Sequence, residues 1–301
     1  MGRFVSFTAA LLVAASLAGF GEAVAAAATQ AVLVTGASTG IGRKVTEKLA
    51  ADGYFVYAGA RKEQDLAALN SIRNVQAIRL DVTKPEDLEV AVATISKAGR
   101  GLYGLVNNAG VGTIAEVVDT KPEEFDIVMA VNVYGPWRVT RAFAPLIIAS
   151  KGRVITIGSI NGIISGKYIS AYAMSKHAME AFTDALAEEM APLGVQVSIV
   201  DPGAYRSEIF VNEVRRTGQA LKDADRLQFK EPDEVAAAVE QALFEPHPKR
   251  RYMVVPNREQ ARATIDRQLD RLVELNERQP YSYDRQELVR LLEDALSRAA
   301  H

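Results

Sequence analysis

The 301-residue sequence contains no cysteine and only three histidines. A chain without cysteine forms no disulfide, carries no thiolate nucleophile and offers no thiolate to a metal. His177, His247 and His301 lie far apart and lack the spacing of metal ligands, so we expect no metal site. The missing cysteine leaves the cellular compartment open, because many exported proteins also lack it.

A field of positive charge is missing as well. The 35 basic and 37 acidic side chains are interspersed and give a net charge of −2. Proteins that collect nucleic acid phosphates carry a basic surface, so we expect no nucleic acid partner. Apolar residues at 49% and charged residues at 24% are ordinary for a soluble globular chain, which argues against disorder and coiled coil.

From Ala31 onward, short apolar runs alternate with longer helical patterns. This order is typical of a parallel sheet with helices on both faces, and the nearly continuous apolar character indicates strands buried on both sides. We therefore predict an α/β fold with one doubly wound parallel sheet of about seven strands. The runs are AVLVT, YFVYAGA, VQAIRL, GLVNNAG, RVITIGS, VQVSIV and RYMVV.

Three segments follow from this pattern. Residues 31–256 form the predicted dinucleotide-binding catalytic domain, since no linker rich in Pro, Gly or Ser interrupts them. Residues 257–301 form a charged helical extension, in which Ser282 or Asp284 could cap a final helix with an apolar stripe. Residues 1–30 are an apolar segment that lies outside the pattern.

The first predicted strand runs directly into TGASTGIG, which places glycines at 36, 40 and 42. In a turn between a strand and a helix, such glycines let backbone amides approach a pyrophosphate, and the helix N-terminus adds a partial positive charge. A Cβ at these positions would obstruct the phosphates. The same glycines could also serve only tight packing.

Tyr172 is the only one of ten tyrosines with a lysine four positions on, Lys176. Residues at this spacing share one face of a helix, so the ammonium can lie near the phenol. A nearby cation favours the phenolate, whose ordinary pKa is about 10, and makes it usable as an acid and base. Alone, the pair could equally be an ordinary helix face.

The TGxxxGxG spacing resembles that of the short-chain dehydrogenases/reductases, and the resemblance extends over nearly all of residues 31–256. It implies a Rossmann-type fold and an oxidoreductase that interconverts an alcohol and a carbonyl. The branch with retinol and hydroxysteroid dehydrogenases is similar, although the run Ile160, Asn161, Gly162 departs from it. The further motifs are NNAG at 107–110, Asn132 in AVNVYG, Ser159 in ITIGS, YAMSK at 172–176, and Pro202 with Gly203.

The resemblance implies a role for each catalytic residue. Tyr172 would exchange a proton with the substrate oxygen, and Ser159 would donate a hydrogen bond to that oxygen. Lys176 would bind the nicotinamide ribose and lower the pKa of Tyr172, while Asn132 would fix a water that connects Lys176 to solvent. A non-catalytic protein that senses dinucleotides is the alternative from another functional class.

NADP(H) is the predicted cofactor, with NAD(H) possible. Ala60 stands where NAD-binding relatives have an acid, and Arg61 follows it, ready to pair with a 2′-phosphate. Arg61 could instead be a solvated surface charge. The predicted cofactor contacts are Gly36, Ser38, Thr39, Gly40, Ile41, Gly42, Arg61, Asp81, Val82, Asn108, Ala109, Gly110, Tyr172, Lys176, Pro202 and Gly203.

The segments after Gly110, Ser159 and Gly203 are largely apolar and contain no cluster of cations. They predict a small lipophilic alcohol or carbonyl as substrate, with a 3-oxoacyl thioester reductase as the alternative. The resemblance also implies a homodimer or homotetramer joined through two long helices, from about 122 to 150 and 171 to 191. The candidate substrate contacts are Val111, Ile160, Asn161, Tyr168, Met174 and Tyr205.

The N-terminal segment has one cation, Arg3, then an apolar run, then the A-x-A arrangement of Ala23 and Ala25. This pattern is typical of an export signal or a membrane anchor, and any membrane contact would come through residues 1–30. Supply of NADP(H) favours the cytoplasm instead, so the localisation stays open. A misassigned start of translation is a third interpretation.

Overall fold

The computed structural model describes residues 30–209 and 229–299. Within them, seven strands form one parallel sheet in the order β3-β2-β1-β4-β5-β6-β7. The predicted doubly wound parallel sheet is confirmed. The strands are β1 (Ala31–Val34), β2 (Phe55–Ala60), β3 (Val75–Arg79), β4 (Gly104–Asn107), β5 (Arg153–Ile157), β6 (Gln196–Pro202) and β7 (Arg251–Val254).

Helices follow most strands. The helix predicted from about 122 to 150 is interrupted by a π turn, Ala130–Tyr134, which carries Asn132. Short 3₁₀ turns occur at Ile160–Gly162 and Ala191–Leu193. The α-helices are α1 (Gly40–Ala51), α2 (Glu63–Asn70), α3 (Pro85–Ala98), α4 (Pro122–Met129), α5 (Gly135–Ala149), α6 (Ser170–Met190), α7 (Asp233–Phe244), α8 (Arg258–Asn276) and α9 (Arg285–Ala299).

The sheet is buried on both faces, as its apolar runs predict. All four side chains of β1 are at most 1% exposed. Val32 and Val34 pack in a cluster with residues of α1 and α7, whereas Ala31 and Leu33 pack in a second cluster with residues of α3, α5 and α6. Side chains alternate across a strand, so an uninterrupted apolar run serves two cores at once.

The strand order also decides where a ligand can bind. β1 lies between β2 and β4, so the chain leaves β1 for one side of the sheet and later returns to its other side. Helices leave such a point in opposite directions, which opens a crevice beyond the carboxyl ends of the two strands. The glycine turn follows β1 and the NNAG segment begins in β4, so both motifs lie at this crevice.

The chain divides into two compact units, 1–256 and 257–301. In the second unit, α8 and α9 are joined by a turn in which Asn276 bonds the backbone of Tyr283 in both directions. Asp284 accepts from the Glu287 N–H while the Glu287 carboxylate accepts from the Asp284 N–H, so Asp284 is the cap of α9. None of the helices in the described parts of the chain is long and apolar enough to cross a membrane. The predicted signal or anchor segment lies outside the described residues.

Candidate active site

A cavity of about 490 Å³ lies at the carboxyl ends of the strands. Most of the residues predicted from the sequence meet there. Gly42, Asn132, Tyr168 and Met174 are the predicted residues that do not line it. Those that do are Gly36, Ser38, Thr39, Gly40, Ile41, Arg61, Asp81, Val82, Asn108, Ala109, Gly110, Val111, Ser159, Ile160, Asn161, Tyr172, Lys176, Pro202, Gly203 and Tyr205.

The glycine turn has the backbone that its sequence requires. Gly36 and Gly40 have φ values of +65° and +57°, a region that side chains disfavour. Gly42 is needed for packing, because a Cβ there would lie 2.3 Å from both the Gly36 oxygen and Asn108 Nδ2. Asn108 Nδ2 in turn donates to the Gly36 oxygen at 3.0 Å, so the turn and the NNAG segment hold each other.

The N-terminus of α1 faces this cavity with small side chains in front of it. Gly40 begins the helix, Thr39 precedes it without capping it through its side chain, and no acidic residue lies in the first turn. Unpaired helical N–H groups with no carboxylate of their own are suited to an anion. The turn therefore fits the pyrophosphate of a dinucleotide, and Gly36 leaves the approach clear.

The other end of the cavity is lined by Ala60, Arg61 and Asp81. We call it the adenosine end, because the sequence predicts that Arg61 and Asp81 contact the adenosine part of the cofactor. Arg61 is 64% exposed, and its Nη1 atom lies 3.8 Å from Asp81 Oδ2. Asp81 Oδ1 accepts from the backbone and hydroxyl of Thr83. Burial alone would raise the pKa of Asp81, but the Thr83 bonds and the Arg61 charge hold it below its ordinary value. Asp81 is fixed, while Arg61 has a loose, solvated contact.

Ser159 and Tyr172 come together at the opposite end. Ser159 lies two residues after the end of β5. Its hydroxyl accepts from the Asn161 N–H at 3.1 Å, and its side chain is hydrogen-bonded to that of Tyr172. Tyr172 lies in the first turn of α6 and is 7% exposed. Because both side chains line the cavity, a carbonyl oxygen placed there can meet two hydroxyl groups.

Lys176 lies one turn further along α6 than Tyr172. Its Nζ atom donates to the Ile157 oxygen at 2.8 Å and lies 5.7 Å from the centre of the Tyr172 ring. Burial lowers the pKa of Lys176 to about 8, against the opposing charge of Asp201. Lys176 thus ties α6 to the last residue of β5 and keeps further N–H groups for the cavity.

The pKa of Tyr172 differs from the sequence expectation. Burial raises it to about 12, and the Ser159 hydrogen bond offsets this only in part, while any negative charge on Asp201 raises it further. In the protein alone, Lys176 therefore does not produce a low phenol pKa. The reason is that a buried phenolate loses its hydration, and the Ser159 hydrogen bond compensates for only part of this cost.

Asn132 does not line the cavity but hydrogen-bonds Val111, which does. It is 2% exposed, its Oδ1 atom accepts from the Val111 N–H, and its Nδ2 atom donates to the Val111 oxygen, both at 2.9 Å. The same Nδ2 donates to Ser175 Oγ at 3.0 Å. Both amide hydrogens are used, so the side chain fixes the segment after NNAG; its role in holding a water stays a prediction.

The candidate substrate residues fall into two groups. Val111, Ile160, Asn161 and Tyr205 line the cavity, and the Tyr205 hydroxyl bonds Glu234. Tyr168 and Met174 do not line it and are 50% and 53% exposed. Met174 lies on α6 between Tyr172 and Lys176, and at 100° per residue it faces away from both.

Two residues that hold the site together were not among the predicted site residues. Thr35 Oγ1 accepts from the N–H groups of Asn108 and Ala109, each at 3.0 Å, and so joins β1 to the NNAG segment. Its signal was the threonine that opens the TGxxxGxG motif. Asp201 is fully buried and accepts from the Ser159 N–H at 3.0 Å. A single acid at the end of the apolar run VQVSIV was its signal.

In residues 30–209 and 229–299, no group of three histidines or carboxylates is placed to hold a metal.

Comparison with known proteins gives a consistent result. The family model described as short chain dehydrogenase matches residues 30–217. The mitochondrial D-beta-hydroxybutyrate dehydrogenase of Rattus norvegicus is 38% identical over 190 residues, which cover 60% of this chain and 55% of that protein. Retinol dehydrogenase 5 of Mus musculus is 39% identical over 184 residues, covering 59% and 57%. The match thus spans little more than half the length of these relatives.

Solved structures have the same fold. A short-chain dehydrogenase from Streptomyces avermitilis is 31% identical with a TM-score of 0.68, covering 82% of this chain and 93% of that one. A metagenomic short-chain oxidoreductase in complex with NADP is 30% identical with a TM-score of 0.63, covering 76% and 98%. A Burkholderia phymatum protein in complex with NAD has a TM-score of 0.71, covers 84% and 98%, and is 23% identical, which shows the fold alone.

Proposed function

Because the chain belongs to the short-chain dehydrogenase family, we propose that it is an NAD(P)(H)-dependent oxidoreductase that interconverts an alcohol and a carbonyl. One observation carries the proposal. A buried tyrosine, Tyr172, lines the cavity with its hydroxyl bonded to Ser159, and Lys176 lies one helical turn away on the same wall. Such a group can exchange a proton with an oxygen whose carbon gains or loses a hydride.

The chemistry is divided between the cofactor and the chain. When bound, the nicotinamide supplies or accepts the hydride at the substrate carbon. In reduction, Ser159 donates to the carbonyl oxygen and holds it beside the phenol, and Tyr172 transfers its proton to that oxygen as the charge develops. Lys176 is held by the Ile157 oxygen, which keeps its ammonium beside the ring to restore the lost proton.

The raised pKa of Tyr172 predicts how the rates of reduction and oxidation change with pH. A phenol whose pKa is held near 12 by burial keeps its proton throughout the neutral range. It is then ready to protonate a carbonyl oxygen, so reduction proceeds at neutral pH. Oxidation of an alcohol needs the deprotonated phenol, so its rate increases as the pH rises.

NADP(H) is the cofactor that the adenosine end supports. The small Ala60 removes the acid that would repel a 2′-phosphate, and Arg61 is exposed with only a 3.8 Å contact to Asp81. A guanidinium free to move by a few ångströms can pair with a phosphate. The metagenomic relative in complex with NADP agrees with this choice, and the complex with NAD shows that the fold accepts either cofactor.

A small lipophilic alcohol or carbonyl fits the remaining wall. Its apolar part includes Val111, Ile114, Ile160 and Phe229. The Arg206 guanidinium lines the same cavity but is paired with Glu231 at 2.7 Å, which leaves it less suited to a substrate carboxylate. The name of the matched retinol dehydrogenase agrees with an apolar alcohol, whereas that of the hydroxybutyrate dehydrogenase points to a hydroxy acid.

The test is a substrate panel with NADPH and NADH in parallel. It contains aliphatic and aromatic carbonyls, their alcohols, a 3-oxo acid and a 3-oxoacyl thioester. We expect NADPH oxidation with an apolar carbonyl, and a loss of about 10³-fold in kcat for Tyr172→Phe. Tyr281→Phe, an exposed tyrosine off the cavity, is the control. Binding of NADPH without turnover of any substrate would support the dinucleotide-sensing alternative.

Two further proposals concern the whole protein. A homo-oligomer is supported by exposed apolar side chains on and between α4 and α6, namely Ile127, Tyr134, Trp137 and Met174. Light scattering tests it, with Trp137→Glu expected to reduce the mass to that of one chain.

Export or anchoring through residues 1–30 is tested by protease treatment of intact cells with a tag at the C-terminus; digestion without lysis would contradict a cytoplasmic location.

A further inference from the structure

A pair of acids, Asp201 at the end of β6 and Glu180 on α6, lies next to the catalytic residues Ser159, Tyr172 and Lys176. Asp201 Oδ1 accepts from the Ser159 N–H at 3.0 Å. Asp201 Oδ2 and Glu180 Oε1 are both buried, and neither receives a hydrogen bond from a conventional donor in the described parts of the chain. The two carboxyl groups lie within hydrogen-bonding reach of each other, so one proton between them would satisfy both orphaned oxygens.

Two carboxylates cannot donate to each other, so a bond between them requires a proton. Asp201 is the residue that keeps it. The other oxygen of Glu180 accepts from Arg251 Nε at 2.8 Å, which favours an ionised Glu180, and Arg251 is held in turn by Asp184 at 2.6 Å. Burial and then the Glu180 charge raise the pKa of Asp201, against the Ser159 bond and the Lys176 charge.

The pair bears directly on the residues of the proposed reaction. Lys176 donates to the Ile157 oxygen, and Asp201 accepts from the Ser159 N–H. Side-chain hydrogen bonds therefore hold both ends of the turn formed by residues 157–159. Gly158 leaves room for this arrangement, since a Cβ there would lie 2.1 Å from Asp201 Oδ1. Any charge on Asp201 also raises the pKa of both Tyr172 and Lys176.

We propose, on the basis of the proposed function, that Asp201 and Glu180 are positioning residues that share one proton, orient Ser159 and keep negative charge away from Tyr172. The charge of the pair then resides on Glu180, beside Arg251. If it moved to Asp201, it would lie next to the catalytic phenol and oppose its deprotonation. The groups that face Asp201 are Tyr172, Lys176 and Glu180 from α6 and the Ser159 N–H after β5.

Two isosteric variants place the charge at opposite ends of the pair. In Asp201→Asn, the side-chain oxygen can still accept from Ser159, the amide can donate to Glu180, and the charge stays on Glu180. In Glu180→Gln, the oxygen can still accept from Arg251, the amide can donate to Asp201, and the charge moves to Asp201. Both variants keep the net charge that the pair has when it holds one proton, so only the position of the charge differs.

The first measurement is the pH profile of alcohol oxidation with saturating cofactor. We expect the midpoint of Asp201→Asn to lie about one pH unit below that of Glu180→Gln. Asp184→Asn is the matched control, because Asp184 contacts Arg251 but not the pair. Equal midpoints in the two variants, or a shift in the control as large as theirs, would overturn the proposal.

The second measurement does not depend on turnover. Infrared spectroscopy of the full chain at pH 7 should show the C=O band of one protonated carboxylic acid. We expect the band to disappear in Asp201→Asn and Glu180→Gln and to remain in Asp184→Asn. If the protein oxidises no alcohol, the proposed function fails while this band still decides whether the proton is shared. Absence of the band in the unmodified protein overturns the pair.

Positioning of Ser159 has its own readout. Asp201→Ala leaves the Ser159 N–H without its acceptor and should lower kcat by about 10-fold to 100-fold while the cofactor Kd stays the same. Asp201→Asn should restore kcat to within about threefold, because it keeps the acceptor. A variant that loses kcat and cofactor affinity together, with no rescue by asparagine, would show that Asp201 is only structural.

Discussion

The two ends of the cavity are held in different ways. At the catalytic end, Ser159, Tyr172 and Lys176 are all 7% exposed or less and are fixed by hydrogen bonds to one another or to the backbone. At the adenosine end, Arg61 is 64% exposed and touches Asp81 only at 3.8 Å. The catalytic end is therefore part of the buried core, whereas the adenosine end lies at the surface.

This difference shows what each end requires. Proton transfer depends on the placement of a few atoms to within a fraction of an ångström, and buried, paired side chains supply it. The proposed recognition of a 2′-phosphate needs a charge that can adjust its position, and an exposed arginine is suited to it. Substitutions at the catalytic end should therefore reduce both stability and turnover, whereas those at the adenosine end should change cofactor affinity alone.

Among the substitutions that test this comparison, the largest effect is expected for Gly158→Ala. The new Cβ would lie 2.1 Å from Asp201 Oδ1 and 2.9 Å from Ile199 Cδ1, so the turn that carries Ser159 must move. We expect the free energy of unfolding to fall by about 1–3 kcal/mol. We also expect kcat to fall by about 100-fold, since a 1 Å displacement is enough for that loss.

Denaturant unfolding and steady-state kinetics measure both effects of Gly158→Ala. Gly166→Ala is the matched control, because a Cβ at that position meets nothing within 4 Å. If Gly158→Ala had the stability and turnover of Gly166→Ala, the crowding at the catalytic end would be unimportant and the contrast between the two ends would fail.

A smaller effect is expected for Asn132→Ala, which acts on the catalytic end from behind. It leaves the N–H and the oxygen of Val111 without the two bonds that Asn132 makes at 2.9 Å. We expect kcat/KM to fall by about 10-fold and the free energy of unfolding by about 1–3 kcal/mol. Thermal unfolding and kinetics on the panel substrate measure this; unchanged values for both would show that Val111 needs no support.

The smallest effect on the fold is expected for Arg61→Ala. Loss of one exposed charge-assisted contact should weaken NADPH binding by about 10-fold and leave NADH binding and thermal stability unchanged. Titration of the intrinsic fluorescence with each cofactor measures the two affinities, and Arg73→Ala, an exposed arginine off the cavity, is the control. Equal losses for NADPH and NADH would contradict a role in cofactor choice.

Sequence motifs located most of the cavity, for a physical reason. The glycine turn, NNAG, Ser159, Tyr172 and Lys176 each belong to a short segment whose local conformation depends on its own residues. Parallel strands bring their carboxyl ends to one edge, so segments that follow strands meet without further information. Contacts between distant side chains cannot be predicted in this way. Asp201 and Glu180 come together only because β6 packs against α6.

Two other features also depended on packing. Met174 lies two residues after Tyr172 on α6, yet only the tyrosine lines the cavity, because the two side chains point to different faces of the helix. The pKa of Tyr172 was expected to be low because of Lys176, whereas burial raises it to about 12. Spacing shows that a cation is near a phenol, but it does not show how much water either group loses.

By itself, the sequence determined the layered α/β architecture, the family and the set of segments that surround the cavity. It did so through the alternation of apolar runs and through glycines and polar residues at strand ends, which are local properties. Tertiary structure alone decided that Asn132 braces Val111, that Gly42 serves packing, and that a proton-sharing pair of acids lies under Ser159. Hydration and charge are properties of a three-dimensional environment, and only the packed chain defines it.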